Sequence, residues 1–249
     1  MRRSFALYRR ELLSFLVSPL AWVLFTVFLL IQGGHFWMLV NYFASQPGVG
    51  GEQTPTQAFF GNTVLLYLVL FLLVPPMTMR LFSEERRSGS IELLLTTPVT
   101  PRAVVLSKYL SALTIFVLMW LPTTLYLLIL SPTGAVDWQA AAASYCGVFL
   151  LGAALLGAGT LMSALTRSPF IALILTALVL LALFLIGVAE FVAKPGTLPH
   201  DIAAHVSIWA QMGDFSSGII DTRRLVFDLS LVAFSLFATE KVVDQWRWE

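Results

Sequence analysis

The chain repeatedly runs for about 20 residues without a charge, and that length narrows its fold more than any motif does. In the stretch from Phe170 to Ala189, which includes LILTALVLLALFLIGV, nothing polar is stronger than one threonine. A helix of about 20 residues crosses the roughly 30 Å hydrocarbon layer. Helices are also the non-barrel way to satisfy every backbone donor and acceptor in lipid. Composition agrees: 58% of residues are hydrophobic, 12% are charged and the mean hydropathy is +0.84. A soluble domain carries about a quarter charged residues. The chain is expected to be an all-α integral membrane protein.

Six spans are expected. The first, 20–40, starts behind Ser18 and Pro19, because proline is tolerated in a helix's first turn. The second covers 62–79. The third, 109–130, holds Pro122 in its interior, where the missing donor and ring clash should kink it. The fourth and fifth, 140–165 and 170–189, are separated only by Thr166, Arg167, Ser168 and Pro169, which implies a tight helical hairpin. The sixth, 225–243, is interrupted by Asp228 near one end and by Glu240 and Lys241 near the other.

Orientation follows from the basic residues, which stay on the cytoplasmic side of short loops. Of the 15 lysines and arginines, six spans leave only Lys194, Arg223 and Arg224 on the side opposite the termini. Both termini are therefore expected in the cytoplasm of a multi-pass protein of the inner membrane. The one cysteine, Cys146, excludes a disulfide framework and is expected to be a small buried side chain in the fourth span. The first apolar run is longer than a signal core and lacks an obvious cleavage site, so it is expected to remain in the mature chain.

Residues 4–17 place Phe5, Tyr8, Leu12, Phe15 and Leu16 on one helical face and Arg9 and Arg10 away from it. Such a helix lies in a membrane interface, as a topology anchor or as an elbow bearing on a moving neighbour. Between the second and third spans comes a charged insertion, RLFSEERRSGSIELLLTTPVTPRAVVLSK, from Arg80 to Lys108. Ser83 is expected to cap a first turn carrying Glu84 and Glu85, and Ser88 and Gly89 then interrupt it. A second helix from about Ser90 presents Ile91, Leu94 and Leu95 at helical spacing and stops at Thr97 before Pro98. Thr100 and Pro101 restart the chain as cap and first position. Leucines on a short polar insertion need a cover, from lipid, from the rest of the chain or from a partner.

The acidic pair and basic residues, then Gly-Ser-Ile-Glu-Leu-Leu-Leu-Thr-Thr-Pro-Val and a following Arg and Lys, resemble the cytoplasmic segment between helices 2 and 3 of ABC-2 type permeases. These are membrane subunits of ATP-binding-cassette transporters. The amino-terminal helix, the six spans and the segment GDFSSGIIDTRRLVFDLSLVAFSLF are similar to the same family. The resemblance implies one permease domain over 1–249, with an interfacial elbow helix at 4–17, a coupling-helix segment at 83–98 and an extracytoplasmic segment at 191–224. It further implies docking on a separate cytosolic ATPase, a second permease subunit, identical or different, and export as the direction. ATP and Mg would then be bound by the partner and no cofactor by this chain. On that reading Ile91, Leu94 and Leu95 supply contact area, while Glu84, Glu85, Arg86, Arg87 and Glu92 fix register. The pathway between two permeases would be nearly all apolar, with Gln32, Asn41, Asn62, Thr63, Thr123 and Thr124 as its few polar candidates. That leans toward a lipid-like or amphipathic cargo.

The residues themselves fit this division of labour, since no Gly-x-x-x-x-Gly-Lys-[Ser/Thr] loop occurs in the chain. An intramembrane enzyme is disfavoured: there is no His-Glu-x-x-His and no Gly-x-Ser-x-Gly, and His200 and His205 are five apart, wrong for one-face metal binding. A scaffold that docks an ATPase in a motility or secretion apparatus without transporting stays open. The segment 191–224 is expected to form interfacial helices on the outer leaflet. Asp228 is expected to snorkel to that interface, and if buried it would face the bundle interior and join the pathway candidates. Gly147, Gly152, Gly157 and Gly159 among alanines invite close helix approach, within the subunit first and between subunits second.

Overall fold

A computed structural model describes residues 2–45, 54–61, 64–89, 100–133, 136–194 and 196–246. All regular structure among the described residues is helical. Helix α1 (Arg2–Val17) leads through Ser18 into α2 (Pro19–Ser45). The short α3 (Pro55–Phe60) precedes α4 (Val64–Thr78) and α5 (Ser83–Ser88). Then come α6 (Pro101–Trp120) and α7 (Thr124–Leu130), α8 (Trp138–Leu165) and α9 (Pro169–Val192). The short α10 (Leu198–Val206) and α11 (Ile208–Ser216) precede α12 (Thr222–Gln245).

Among the described residues, five helical stretches are long and apolar enough to cross a membrane: Pro19–Ser45, Val64–Ser88, Pro101–Thr133, Trp138–Leu165 and Pro169–Val192. The expected sixth span coincides with α12. At 24 residues it is long enough, but Asp228, Glu240 and Lys241 leave it less apolar than the others.

Local chemistry explains the boundaries. Pro122 cannot donate to the helical ladder, and the chain answers with a 3₁₀ turn over Leu121–Thr123 between α6 and α7. The Thr123 hydroxyl donates to the Trp120 carbonyl at 2.7 Å, so the polar groups of the break are satisfied locally. In α4 the adjacent Pro75 and Pro76 act similarly: the Thr78 hydroxyl donates to the Val74 carbonyl at 2.9 Å and the helix ends there. Asp137 caps α8 by accepting from the Gln139 and Ala140 amides at 2.9 and 3.2 Å. Three residues, 166–168, turn α8 into α9, as the expected hairpin required.

Helix α8 is the central post, and its small residues let neighbours of the same chain come close. A Cβ at Gly152 would overlap the Phe116 ring of α6, and one at Gly159 would overlap the Thr78 side chain of α4. A Cβ at Gly157 would lie 3.4 Å from Ser235 of α12. The glycines therefore serve intrasubunit packing. Cys146 is exposed, contrary to the buried side chain expected of it. Ala143, Ser144, Gly147 and Val148 take the buried faces of this turn, and Cys146 falls on the remaining one.

The bundle has two distinct ends. At one, α1, α5, the start of α6 and the ends of α8 and α12 converge around a small apolar cluster of Leu81, Phe82, Val104, Val105, Ala112, Ala164 and Val243. Arg80, Arg86, Arg102 and Lys108 also lie there, and Arg167 follows the end of α8. At the other end sit α3, α7, α10, α11 and the start of α12. Helix α11 buries one face, Ile208, Gln211, Met212 and Phe215, against the bundle, with Phe215 packed on Gly147 of α8. Arg224 donates to the Ala204 and His205 carbonyls at 2.7 and 3.0 Å, closing the carboxyl end of α10.

Candidate functional site

The charged connector after α4 is held by one hydroxyl. Ser163 Oγ accepts from the Phe82 and Ser83 amides at 3.1 and 3.3 Å and donates to the Met79 carbonyl at 3.2 Å. The turn is thus fixed to the end of α8 with its buried backbone groups paired. Ser83 does not cap α5, as the sequence suggested. Its hydroxyl turns back to the Met79 carbonyl, and the cap position falls to Phe82, which makes no side-chain cap bond. Gly89, at φ 72°, ends α5 in the left-handed region that favours glycine. Thr100 caps α6 as expected, accepting from the Ala103 amide at 3.4 Å.

On one flank of α5 lies an ion cluster. Lys108 Nζ, on a side chain 3% exposed, donates to Glu85 Oε1 at 2.8 Å and to Glu11 Oε2 at 3.2 Å. Arg10 Nη2 donates to Glu11 Oε1 at 2.6 Å and lies 3.7 Å from Glu85. Burial pushes the Glu11 carboxyl up, but the Lys108 charge and the Arg10 hydrogen bond override it and hold the group below the usual carboxylate range. The Arg10 guanidinium is raised, first by its hydrogen bond to Glu11. On the other flank, Arg86 stands 4.8 Å over the Trp246 ring, which also meets Phe82 edge-on. Arg102 binds both carboxylate oxygens of Glu240 at 2.9 Å. Helix α5 is therefore gripped between α1 and α6 on one side and α12 on the other.

Of the residues expected to set register, Glu85 and Arg86 thus carry internal contacts. Glu84, 58% exposed, and Arg87 face outward. Ile91, Glu92, Leu94 and Leu95 lie outside the described residues, as do Asn62 and Thr63. The other pathway candidates do not line one surface. Asn41 is exposed and donates to the Trp37 carbonyl at 3.0 Å. Thr124 donates to the Leu121 carbonyl at 2.7 Å, and Thr123 is buried against the Tyr145 hydroxyl at 2.8 Å. Gln32 is buried in the chain's own core with His35, one turn away. Neither amide atom of Gln32 and neither ring nitrogen of His35 has a hydrogen-bond partner among the described residues.

Asp228 does not snorkel. It is 2% exposed and accepts a hydrogen bond from the Gln211 amide. The inward turn of α11 brings that donor to it, and a paired acid can stay buried. At the same end, His200 contacts Asp201 at 3.3 Å and His205 meets the Phe227 ring edge-on. Among the described residues no three metal-ligating side chains gather.

In the sequence Lys108 belongs to the topology count and to the motif of the family resemblance, and Glu11, Ser163 and Gln211 have no assigned role. A lysine inside a mostly apolar helical run, preceded by Glu11 in α1 and the Glu84–Glu85 pair in α5, is the sequence signal for the ion cluster.

Fold and composition define a multi-pass helical membrane protein. Compared with known protein families, residues 40–212 match the ABC-2 family transporter proteins, a span that contains the whole 80–108 segment. The chain belongs to that family, whose members are membrane permeases of ATP-binding-cassette transporters. No curated protein matches the chain.

Proposed function

We propose that this permease docks a separate cytosolic ATPase through residues 83–98, and that α5 carries the movement of that partner into the bundle. The observation that carries this reading is the two-sided grip on α5: Lys108 ties it to α1 and α6, and Trp246 ties it to α12. A displacement of the 80–108 segment would then reach three helices at once. Ile91, Leu94 and Leu95 supply the apolar contact area, Glu84, Arg87 and Glu92 the register, and Glu85 and Arg86 hold the segment from inside. ATP and Mg bind the partner.

Six crossings with both termini in the cytoplasm are the topology that goes with this role. Supporting it, α12 runs from the level of Gln211, beside Asp228, to that of Arg102, beside Glu240, the full height of the bundle. Its charges sit toward its ends, and the buried Asp228 among them is paired with Gln211. Twelve of the 15 basic residues then share the side that α5 occupies. Helix α1 lies in the interface on that side of the inner membrane, Phe5 and Leu16 outward and Leu12 and Phe15 against the core. Two such permeases pair, and the cargo exported between them is amphipathic, matching walls that are apolar nearly throughout.

The test is affinity purification of the chain from its native membrane in mild detergent. A P-loop ATPase should accompany the wild type and be lost from Leu94→Asp and from the Glu84→Arg, Arg87→Glu double variant. Wild type free of any ATPase, under conditions that preserve other transporter complexes, would reject the docking assignment. An ATPase that co-purifies but drives no ATP-dependent cargo movement in vesicles would leave a docking scaffold in place of an exporter.

A further inference from the structure

Where α1 bends into α2, the helices part around a cavity of about 360 Å³ that also touches α4, α5 and α6. Its inner half is apolar, walled by Leu24, Ile115 and Met119. Its outer half is charged. The back wall is the Lys108 cluster, and the mouth is formed by Arg80 and Glu84, side chains 51% and 58% exposed and 3.9 Å apart. Lys108 and Met119 both line it, eleven residues apart on one helix, so it runs about 16 Å at 1.5 Å per residue. That is about half of the roughly 30 Å hydrocarbon layer, the depth of one leaflet.

We infer that this cavity binds one phospholipid with a zwitterionic headgroup, one of its acyl chains along Leu24, Ile115 and Met119 and its head between Arg80 and Glu84. The charges select the headgroup. Lys108 is already engaged by two carboxylates, so the back wall offers an incoming anion no uncommitted cation. The mouth offers one positive and one negative group side by side, loosely paired at 3.9 Å and each able to exchange its partner for the opposite charge of a phosphate or an ammonium. A headgroup carrying only negative charge would meet Glu84 unfavourably. A lipid held there would touch α1, α2 and α5 together. The inference rests on the chain spanning a membrane, not on its docking an ATPase.

Native mass spectrometry of the delipidated full-length protein, titrated with dioleoyl phosphatidylethanolamine and dioleoyl phosphatidylglycerol in parallel, reads the site directly. One ethanolamine lipid per chain should bind well above the nonspecific series. Ala21→Trp and Ser14→Trp, which put bulk into the cavity from α2 and α1, should each abolish that binding while circular dichroism stays unchanged. The Arg80→Gln, Glu84→Gln double variant should weaken it about tenfold, as loss of a charge-assisted hydrogen bond does. Equal retention in both tryptophan variants would overturn the site, and equal or tighter binding of the glycerol lipid would overturn the headgroup assignment. Neither result bears on ATPase co-purification.

Discussion

Lys108 and Glu85 meet at 2.8 Å across the gap between α6 and α5, on a lysine side chain that solvent barely reaches. With Glu11 at 3.2 Å, the lysine joins three helices, α1, α5 and α6. Removing the lysine takes from Glu11 and Glu85 their buried countercharge, which costs more than the intact cluster contributes. Lys108→Met should therefore lower stability by about 3 kcal/mol, the lower end of the range for breaking a buried pair, because Glu85 keeps some contact with water. The Glu11→Gln, Lys108→Met, Glu85→Gln triple variant should recover most of that. Thermal unfolding of the detergent-purified protein checks both, and a triple variant no more stable than the single one would contradict the argument.

The same cluster sets an acid limit. Glu11 is held below its unfolded carboxylate value, so the stability it contributes is present above that value, about pH 4.3 for a free glutamate, and is lost as pH falls through the depressed folded value. Wild type should exceed Glu11→Gln in melting temperature near neutrality, and the gap should close under acid. Melting curves from pH 3 to 7 measure this. A gap independent of pH would mean that Glu11 acts by packing alone.

At Gly152 the claim is steric. A methyl group there would overlap the Phe116 ring, and both positions are buried. Gly152→Ala should cost about 1–3 kcal/mol, as overpacking in a tight core does. Phe116→Leu costs stability by itself but removes the obstructing ring atoms. The double variant should therefore be more stable than the sum of the single effects by at least about 0.5 kcal/mol, the coupling that contacting residues show. Strict additivity would separate the two positions.

How much of this was legible before the fold was known differs by element. The positions of the long helices follow from apolar run length alone, and the α6–α7 break follows from Pro122, because both effects are local. The α8 glycines pointed to close packing, but which helix each one admits depends on the whole bundle. The ion cluster was harder: Glu11, Glu85 and Lys108 lie in three helices, and only the bend at Ser18 and the turn held by Ser163 bring them together. The burial of Asp228 is not legible in the sequence for a similar reason. Its partner Gln211 belongs to a helix whose pattern did not reveal that it turns inward.

Gln32 and His35 present four buried polar atoms without partners among the described residues, on a helix long and apolar enough to cross a membrane. An unsatisfied buried polar group costs about 1–3 kcal/mol, so replacing it with an apolar group of similar shape relieves that cost. Gln32→Leu, and His35→Phe, which keeps the ring stacked on Phe59 at 5.1 Å, should each raise the melting temperature. If Gln32 also serves cargo, the more stable variant should transport less in vesicles. A fall in melting temperature would show that these groups are satisfied in the membrane.

Trp246 offers a way to separate docking from transmission. Its ring carries Arg86 at 4.8 Å and meets Phe82, so it ties α12 to the root of the 80–108 segment without belonging to the proposed partner surface. The half-buried cation–π contact is worth about 0.5–2 kcal/mol and the packing on Phe82 adds to it, a loss that should still leave Trp246→Ala folded and able to bind the proposed ATPase. Movement of α5 would then no longer reach α12 in full. ATP hydrolysis should persist in the purified complex while ATP-driven cargo movement falls, and Trp246→Phe, which keeps an aromatic face for Arg86, should restore most of it. On the proposed docking, Leu94→Asp should give the opposite pattern, losing the ATPase itself. If Trp246→Ala hydrolysed and transported as wild type does, the α12 side of the grip would be a packing contact with no part in coupling.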